Sequence, residues 1–280
     1  QCDSLLKALK GSDPQKRSVI QAHTRLKLKS GTSFIQTLIH DENPLISGAA
    51  RAFCARVEGD LDQLKPLIPQ LQDLQAGRRR SAVIDLGDAG DITMLGCLIK
   101  SAVSMPLRAK SAFQLVDPDK KAQVAEEHIK TITTLLQDDP RSLSMREEWL
   151  STQDPLEIEN NLQHRDEGKQ YGAALSLLKM PKPQQIEILD GIHSRLWSDY
   201  GANYLLTSLV GLGSIHEREE LVRTSLAETL PQYAKSRVAA AWACLKLDLN
   251  DQLGLLKEIS TSSQWLPLKW SCSQVLKKFS

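Results

Sequence analysis

The side chains best suited to chemistry fall into two groups. The first is Arg78-Arg79-Arg80, with Arg108 about thirty residues on and Asp85 and Asp88 between them. Guanidinium groups hold carboxylates or phosphates through paired N–H donors. An aspartate one or two turns beyond them accepts N–H groups or binds a cation. A solvated charged face and Arg–Asp pairing within one helix are the plainer alternatives. The second group is aromatic. Tyr171-Gly172-Ala173 recurs as Tyr200-Gly201-Ala202, preceded by Asp199 and followed by Asn203 and Tyr204, with Trp197 and Trp242 in the same half. Rings alternating with polar groups along a groove suit a flat conjugated ligand. The same rings also serve as core between helices.

Other chemistries lack their residues. The histidines (23, 40, 128, 164, 193, 216) are dispersed without metal-ligand spacing, so no metal site is expected. Cys2, Cys54, Cys97, Cys244 and Cys272 form no CxxC pair, which favours reduced thiols, mostly buried, in a cytoplasmic protein. Gly-rich phosphate loops and the Gly-x-Ser-x-Gly elbow are absent. With 35 Lys and Arg against 34 Asp and Glu, the net charge of +1 gives no general attraction to nucleic acid or an anionic membrane. Gln1 to Lys10 lacks the apolar core of a signal peptide, and no run approaches the roughly 18 apolar residues of a membrane span.

What positions these residues is a repeat. Arg78, Ala82 and Leu86 share a spacing of four with Arg108, Ala112 and Val116; with Lys169, Ala173 and Leu177; and with Arg237, Ala241 and Leu245. Weaker copies centre on Ala22, Ala50, Ala202 and Cys272. Residues four apart share a helix face, and a small residue in the middle admits a close neighbouring helix. Pro14, Pro44, Pro106 and Pro267 suit first turns, Asp13 and Asn43 suit N-caps, and Gly59-Asp60, Gly87-Asp88 and Gly90-Asp91 are expected to separate units. Apolar runs at Phe34 to Ile39, Leu64 to Leu71 and Ile92 to Ile99 read as the first helix of each pair. No alternating strand pattern competes.

The expected fold is all-α: a HEAT-like solenoid of about eight to nine helical pairs over residues 1–280, curved around a concave groove. The pattern weakens over 117–161, where a long helix from Lys120 to Leu136 and an irregular connection from Gln137 to Asp154 predict a bend. Trp149 and Leu150 are expected to be buried there. Second helices line the inner wall of such stacks, so Arg78 and Arg108 should share one groove, and Tyr171 and Tyr200 should lie side by side.

Several segments resemble one family. Asp166-Glu-Gly with Tyr171-Gly-Ala, Asp199-Tyr-Gly-Ala, the run Arg79-Arg-Ser-Ala-Val-Ile-Asp-Leu-Gly-Asp88 and Leu107-Arg-Ala-Lys-Ser-Ala112 resemble the E/F (CpcE/CpcF) clan of phycobilin lyases, HEAT-repeat proteins. Within it the length and the Tyr-Gly-Ala units look closest to the phycoerythrobilin lyases of the CpeF/MpeU/MpeV kind. The Asn-His-Cys motif of the phycoviolobilin-forming isomerase subunits is missing. The resemblance implies attachment of a linear tetrapyrrole, phycoerythrobilin, to a cysteine of a phycobiliprotein subunit such as phycoerythrin, with the bilin as substrate and no prosthetic group. It implies catalytic roles for Asp85, Asp199 and Tyr200. Arg78, Arg79, Arg80 and Arg108 would hold the propionates, and Tyr171, Tyr204 and Trp242 would cover the rings. A protein-binding HEAT scaffold is the alternative; a HEAT-like DNA glycosylase would need a basic groove that this charge balance disfavours.

Overall fold

The computed structural model describes residues 7–116, 125–196 and 198–279; Cys2, Trp197 and part of the expected bend lie outside them. Every regular element among the described residues is helical. The chain divides into two compact units, one running to Ile132 and the other from Thr133.

In the first unit α1 (Asp13–Leu26), α2 (Thr32–Thr37), α3 (Pro44–Phe53), α4 (Ala76–Ala89), α5 (Leu95–Leu98) and α6 (Met105–Val116) follow one another, and α7 (Glu126–Gln137) begins near its end. Helix α3 packs between α1 and α4, and α4 packs in turn on α6. The expected small positions explain this closeness. Ala50, Ala82 and Ala112 are completely buried, so each lets the next helix approach at its own backbone. Ala22 is only half-buried; α1 turns Val19, Ile20, His23 and Thr24 inward instead.

The first helices of the pairs are shorter than their apolar runs foretell. Leu61–Leu67 and Pro69–Gln72 are 3-10 turns, as are Leu38–His40 and Ile92–Met94. Pro66 and Pro69 each remove a backbone donor, which keeps α-helical hydrogen bonding from propagating through this stretch. Caps also differ in detail. Asn43 accepts the Leu45 N–H at 3.0 Å as foreseen, but Ser12 rather than Asp13 caps α1, its N–H donating to Gln15 Oε1 at 3.0 Å. Gly59 and Gly90 terminate helical segments at φ of 80° and 73°, whereas Gly87-Asp88 sits inside α4 and separates nothing.

The second unit contains α8 (Pro155–Leu162), α9 (Glu167–Lys179), α10 (Lys182–Leu196), α11 (Tyr200–Gly213), α12 (Glu219–Ala227), α13 (Ala234–Lys246), α14 (Leu253–Ser262) and α15 (Leu266–Phe279). Helices α9, α11, α13 and α15 each pack on the next in that order. Residues 138–154 form the expected irregular connection, with single 3-10 turns at Pro140–Ser142 and Glu147–Trp149. Trp149 is buried but Leu150 is 46% exposed, contrary to expectation.

The cysteines belong to this packing. Burial pushes the thiols of Cys54, Cys244 and Cys272 up to about 12, well above a reactive range. In the folded protein these three should resist a thiol-exchange reagent at pH 8 and react only after denaturation. Peptide mapping of the labelled native protein checks this, and prompt labelling of any of the three would contradict it.

Candidate functional site

Helices α11 and α13 lie side by side and present a joint face. Tyr200, Tyr204, Ser208 and Leu212 recur every four residues on α11, and Lys235, Ala239, Trp242 and Lys246 recur at three or four on α13, so each set forms one stripe. The helices meet closely where a Cβ on Gly211 would stand only 2.6 Å from the Ala243 Cβ. Asp199 opens α11, its Oδ1 accepting the Ala202 N–H at 2.8 Å. Tyr200, next to it, is 49% exposed and meets the Tyr233 ring edge-on at 5.1 Å.

At the foot of this face stands Asp138. It follows α7 with φ of 49°, a left-handed conformation that aspartate tolerates better than most residues, and it is 5% exposed. The Tyr171 hydroxyl donates to both of its oxygens, at 2.9 and 3.2 Å, and the Tyr204 hydroxyl donates to Oδ2. Two phenols from α9 and α11 thus converge on one buried carboxylate. Lys235 Nζ lies 4.9 Å above the centre of the Tyr204 ring. Burial lowers the Lys235 pKa, while the charges of Asp199 and Asp138 oppose the shift.

One stripe further along lies a shallow dent, with space for about one water, lined by residues that include Gln137, Ser208, Leu212, Trp242 and Lys246. Trp242 is fixed by its Nε1–H donating to Ser271 Oγ at 3.1 Å, and Lys278 Nζ lies 5.6 Å from its ring centre.

The charged residues of the first unit take other tasks. Arg79 and Arg108 are fully buried. Arg79 donates from Nε to the Ala102 carbonyl at 3.1 Å and from Nη1 to those of Asp73 and Leu74 at 2.8 and 3.1 Å. Arg108 holds the Val103 and Ile99 carbonyls, each at 2.7 Å. Both tie off carbonyls that the short first helices leave without intrahelical partners. That corrects their expected role, because a ligand carboxylate does not reach a guanidinium enclosed in this way. Arg78, half-exposed, pairs with Asp73 at 3.3 Å, and Arg80 is half-buried.

Asp85 is corrected too. It is 1% exposed and receives two N–H bonds from Arg17 of α1, at 2.7 and 3.1 Å; Asp88 takes two from Arg25, at 2.8 and 3.0 Å. The partners lie on another helix, so intrahelical pairing fails as well. Burial raises the Asp85 carboxyl to about 6 despite the attraction of Arg17.

The expected aromatic group is therefore brought together in part. Tyr171 and Tyr204 share Asp138, but Trp242, expected to cover a ligand ring, is 4% exposed and packs in the core instead. Tyr200, the repeat mate of Tyr171, lies one turn before Tyr204 and pairs with Tyr233 instead. Sequence reasoning missed Asp138, Lys235 and Lys246. Asp138-Asp139-Pro140 reads as an ordinary turn, and Asp139 does cap one, accepting the Arg141 N–H at 3.0 Å. The available signal for the lysines was their helical spacing from Trp242.

No family model matches the chain. It is 26% identical over 271 residues to the uncharacterized phycocyanin operon protein Y of Pseudanabaena tenuis, an alignment covering 96% of this chain and 64% of the relative. It is 22% identical over 294 residues to the bilin biosynthesis protein CpeY of a Synechococcus, covering 99% and 68%. The chain thus spans about two thirds of the length of these curated relatives. Neither relative bears a CpeF, MpeU or MpeV name. A solved structure of human deoxyhypusine hydroxylase with glycerol aligns over 99% of this chain and 95% of that one, at 14% identity and a TM-score of 0.40. No helix among the described residues is long and apolar enough to cross a membrane.

Proposed function

We propose that this chain is a bilin lyase of the phycobilin lyase family, which binds a linear tetrapyrrole along the α11–α13 face and serves in its thioether attachment to a cysteine of a phycobiliprotein subunit. The observation that carries the reading is the convergence of Tyr171 and Tyr204 on Asp138 beneath Lys235, one turn from exposed Tyr200. The names of the two relatives support it, since one is a bilin biosynthesis protein and the other belongs to a phycocyanin operon. The reading includes a HEAT-like stack of about eight or nine helical pairs, supported by the ladders α1–α3–α4–α6 and α9–α11–α13–α15. Phycoerythrobilin as the pigment, phycoerythrin as the acceptor and a cytoplasmic setting complete it.

A bilin is flat, conjugated and dianionic through its propionates. Half-buried Tyr204 and exposed Tyr200 offer rings to its faces, and Lys235 a cation to its charge. The carboxylate of Asp138 fixes both phenols, so that Tyr204 keeps one rotamer as the ligand arrives. Exposed Asp199 and Tyr200 stand at the open end of the face, where an outer ring and an incoming thiolate would meet. The nucleophile is the partner's cysteine; it adds to the ethylidene carbon of that ring. This chain contributes placement, which converts a slow and unselective encounter into an oriented one.

Mixing the purified protein with phycoerythrobilin should red-shift and sharpen the visible absorption. Tyr204→Phe and Lys235→Met should each weaken binding about tenfold with helical circular dichroism unchanged. A pigment spectrum identical to that in buffer would instead leave a protein-binding scaffold.

A further inference from the structure

A net charge of +1 conceals a division of charge between two rows of helices in the second unit. Helices α9, α11, α13 and α15 pack on one another in turn, and α8, α10, α12 and α14 pack on them as the intervening row. The first row has one acid, Glu167, which is buried, and one arginine, Arg237, whose Nε–H donates to the Leu226 carbonyl at 3.1 Å. Its other charges are lysines: half-buried Lys169 and Lys235, and exposed Lys179, Lys246, Lys269, Lys277 and Lys278. None of these lysines has an ion-pair partner among the described residues. The intervening row is the reverse. Its acids outnumber its lysines and arginines by seven to four, and its arginines are spent, Arg195 on Glu159 and Arg223 on Glu219 and Asp251 at 3.1 and 3.0 Å.

Helix electrostatics does not account for all of these lysines. A helix dipole favours cations in the last turn and acids in the first. Lys179, Lys246, Lys277 and Lys278 obey that rule. Lys235 and Lys269 stand in the first turns of α13 and α15, against it, and neither helix carries an acid there. Asp199, the cap of α11, is an exposed acid at one end of the row.

Size and chemistry decide what such a row receives. Four helices about 9 Å apart and about 20 Å long make a face of roughly 700 Å². That is close to the about 800 Å² that each partner commits to a stable protein complex. The cations are spread over it; Lys235 and Lys246 alone stand about 16 Å apart along α13 at 1.5 Å per residue. A small anion cannot use them together, whereas a macromolecular surface can. The single arginine is engaged elsewhere, although its fork is what suits phosphate best, and partly exposed Leu175, Leu212 and Tyr200 share the row. Apolar and aromatic groups among charges describe a protein interface rather than a phosphodiester track.

We infer that the row α9–α11–α13–α15 is a docking surface for an acidic protein, held through lysines that the rest of the chain leaves unneutralised. The choice of partner rests on the bilin reading and deepens it: the acidic protein is the acceptor subunit, brought onto the row that carries its pigment.

The test measures binding of the pigment-free α and β subunits of phycoerythrin by calorimetry at 50 and 500 mM salt. The wild type should bind one of them, about tenfold or more weakly at the higher salt. Lys179→Glu with Lys269→Glu and Lys277→Glu should weaken that binding about thirtyfold or more, with phycoerythrobilin binding unchanged. Lys100→Glu with Lys110→Glu and Lys257→Glu makes the same change of charge off the row and should leave subunit affinity within about threefold. All six lysines are exposed, and melting curves of both variants should overlay the wild type. Salt-independent binding, equal losses in the two variants, or tighter binding of a 20-base-pair DNA duplex than of either subunit overturns the docking surface. Binding of phycoerythrobilin without either subunit overturns it too and leaves the bilin reading standing. Failure to bind pigment and subunits alike overturns both.

Discussion

Gly172→Val should destabilise the second unit by about 3 kcal/mol or more, while Gly201→Ala at the equivalent position of the repeated Tyr-Gly-Ala motif should be neutral or stabilising by about 0.5 kcal/mol. The two glycines look the same in sequence. In the fold a Cβ on Gly172 would stand 1.8 Å from the Trp149 carbonyl oxygen, and one on Gly168, a turn earlier, 2.7 Å from the Trp149 ring. The 147–149 turn is thus pressed against the bare backbone of α9, and backbone cannot swing aside as the end of a flexible side chain can. A Cβ on Gly201 would meet only Asp199 Oδ1, at 3.0 Å. Urea unfolding midpoints compare the variants directly. Equal shifts at the two sites would refute the assignment of Gly172 to the Trp149 contact.

Asp85→Ala should cost about 2 kcal/mol or more at pH 7, because it strands Arg17, whose side chain is only 14% exposed. Arg17→Met combined with Asp85→Leu should recover most of that loss, since an apolar pair of similar volume has no charge to desolvate. The same pair makes a pH prediction. Burial outweighs Arg17 and raises the Asp85 carboxyl from 3.8 to about 6, with Asp88 adding to the rise and a Gln21 hydrogen bond opposing it. A carboxyl raised on folding contributes stability that is fully present below about pH 4 and is lost as pH climbs through about 6. A rise of that size corresponds to about 3 kcal/mol. The stability difference between wild type and the double apolar variant should therefore move in favour of the wild type as pH falls from 7 to 4. Surface carboxylates held low by arginine or histidine partners, such as Asp251 and Glu219, act in the opposite direction. They are common to both proteins and cancel. A pH-independent difference would show that Asp85 is not buried as a titrating partner of Arg17.

The proposed site was only half legible. Tyr171 and Tyr204 stood out because aromatic residues are scarce here and lie in or beside a Tyr-Gly-Ala unit that recurs; Trp242 stood out on scarcity alone and is core. Asp138 carried no such mark. Its importance comes from a left-handed backbone step after α7 that drops one carboxylate between two helices, beside phenols 33 and 66 residues further along the chain. The arginines misled for the opposite reason. Arg79 and Arg108 look like ligands for an anion, but short 3-10 first helices leave carbonyls that need donors, and a buried guanidinium supplies several at once.

Residue order alone was enough for the helical class and the close-packed positions: spacing of four with a small central residue is a local rule, and Ala50, Ala82, Ala112, Ala173 and Ala241 all became buried contacts. The choice of charge partners belongs to the folded chain. Arg17 finds Asp85 across 68 residues and Arg25 finds Asp88 across 63, because neighbouring helices bring them together. A spacing rule sees along one helix, whereas desolvation and pairing depend on what the next helix presents.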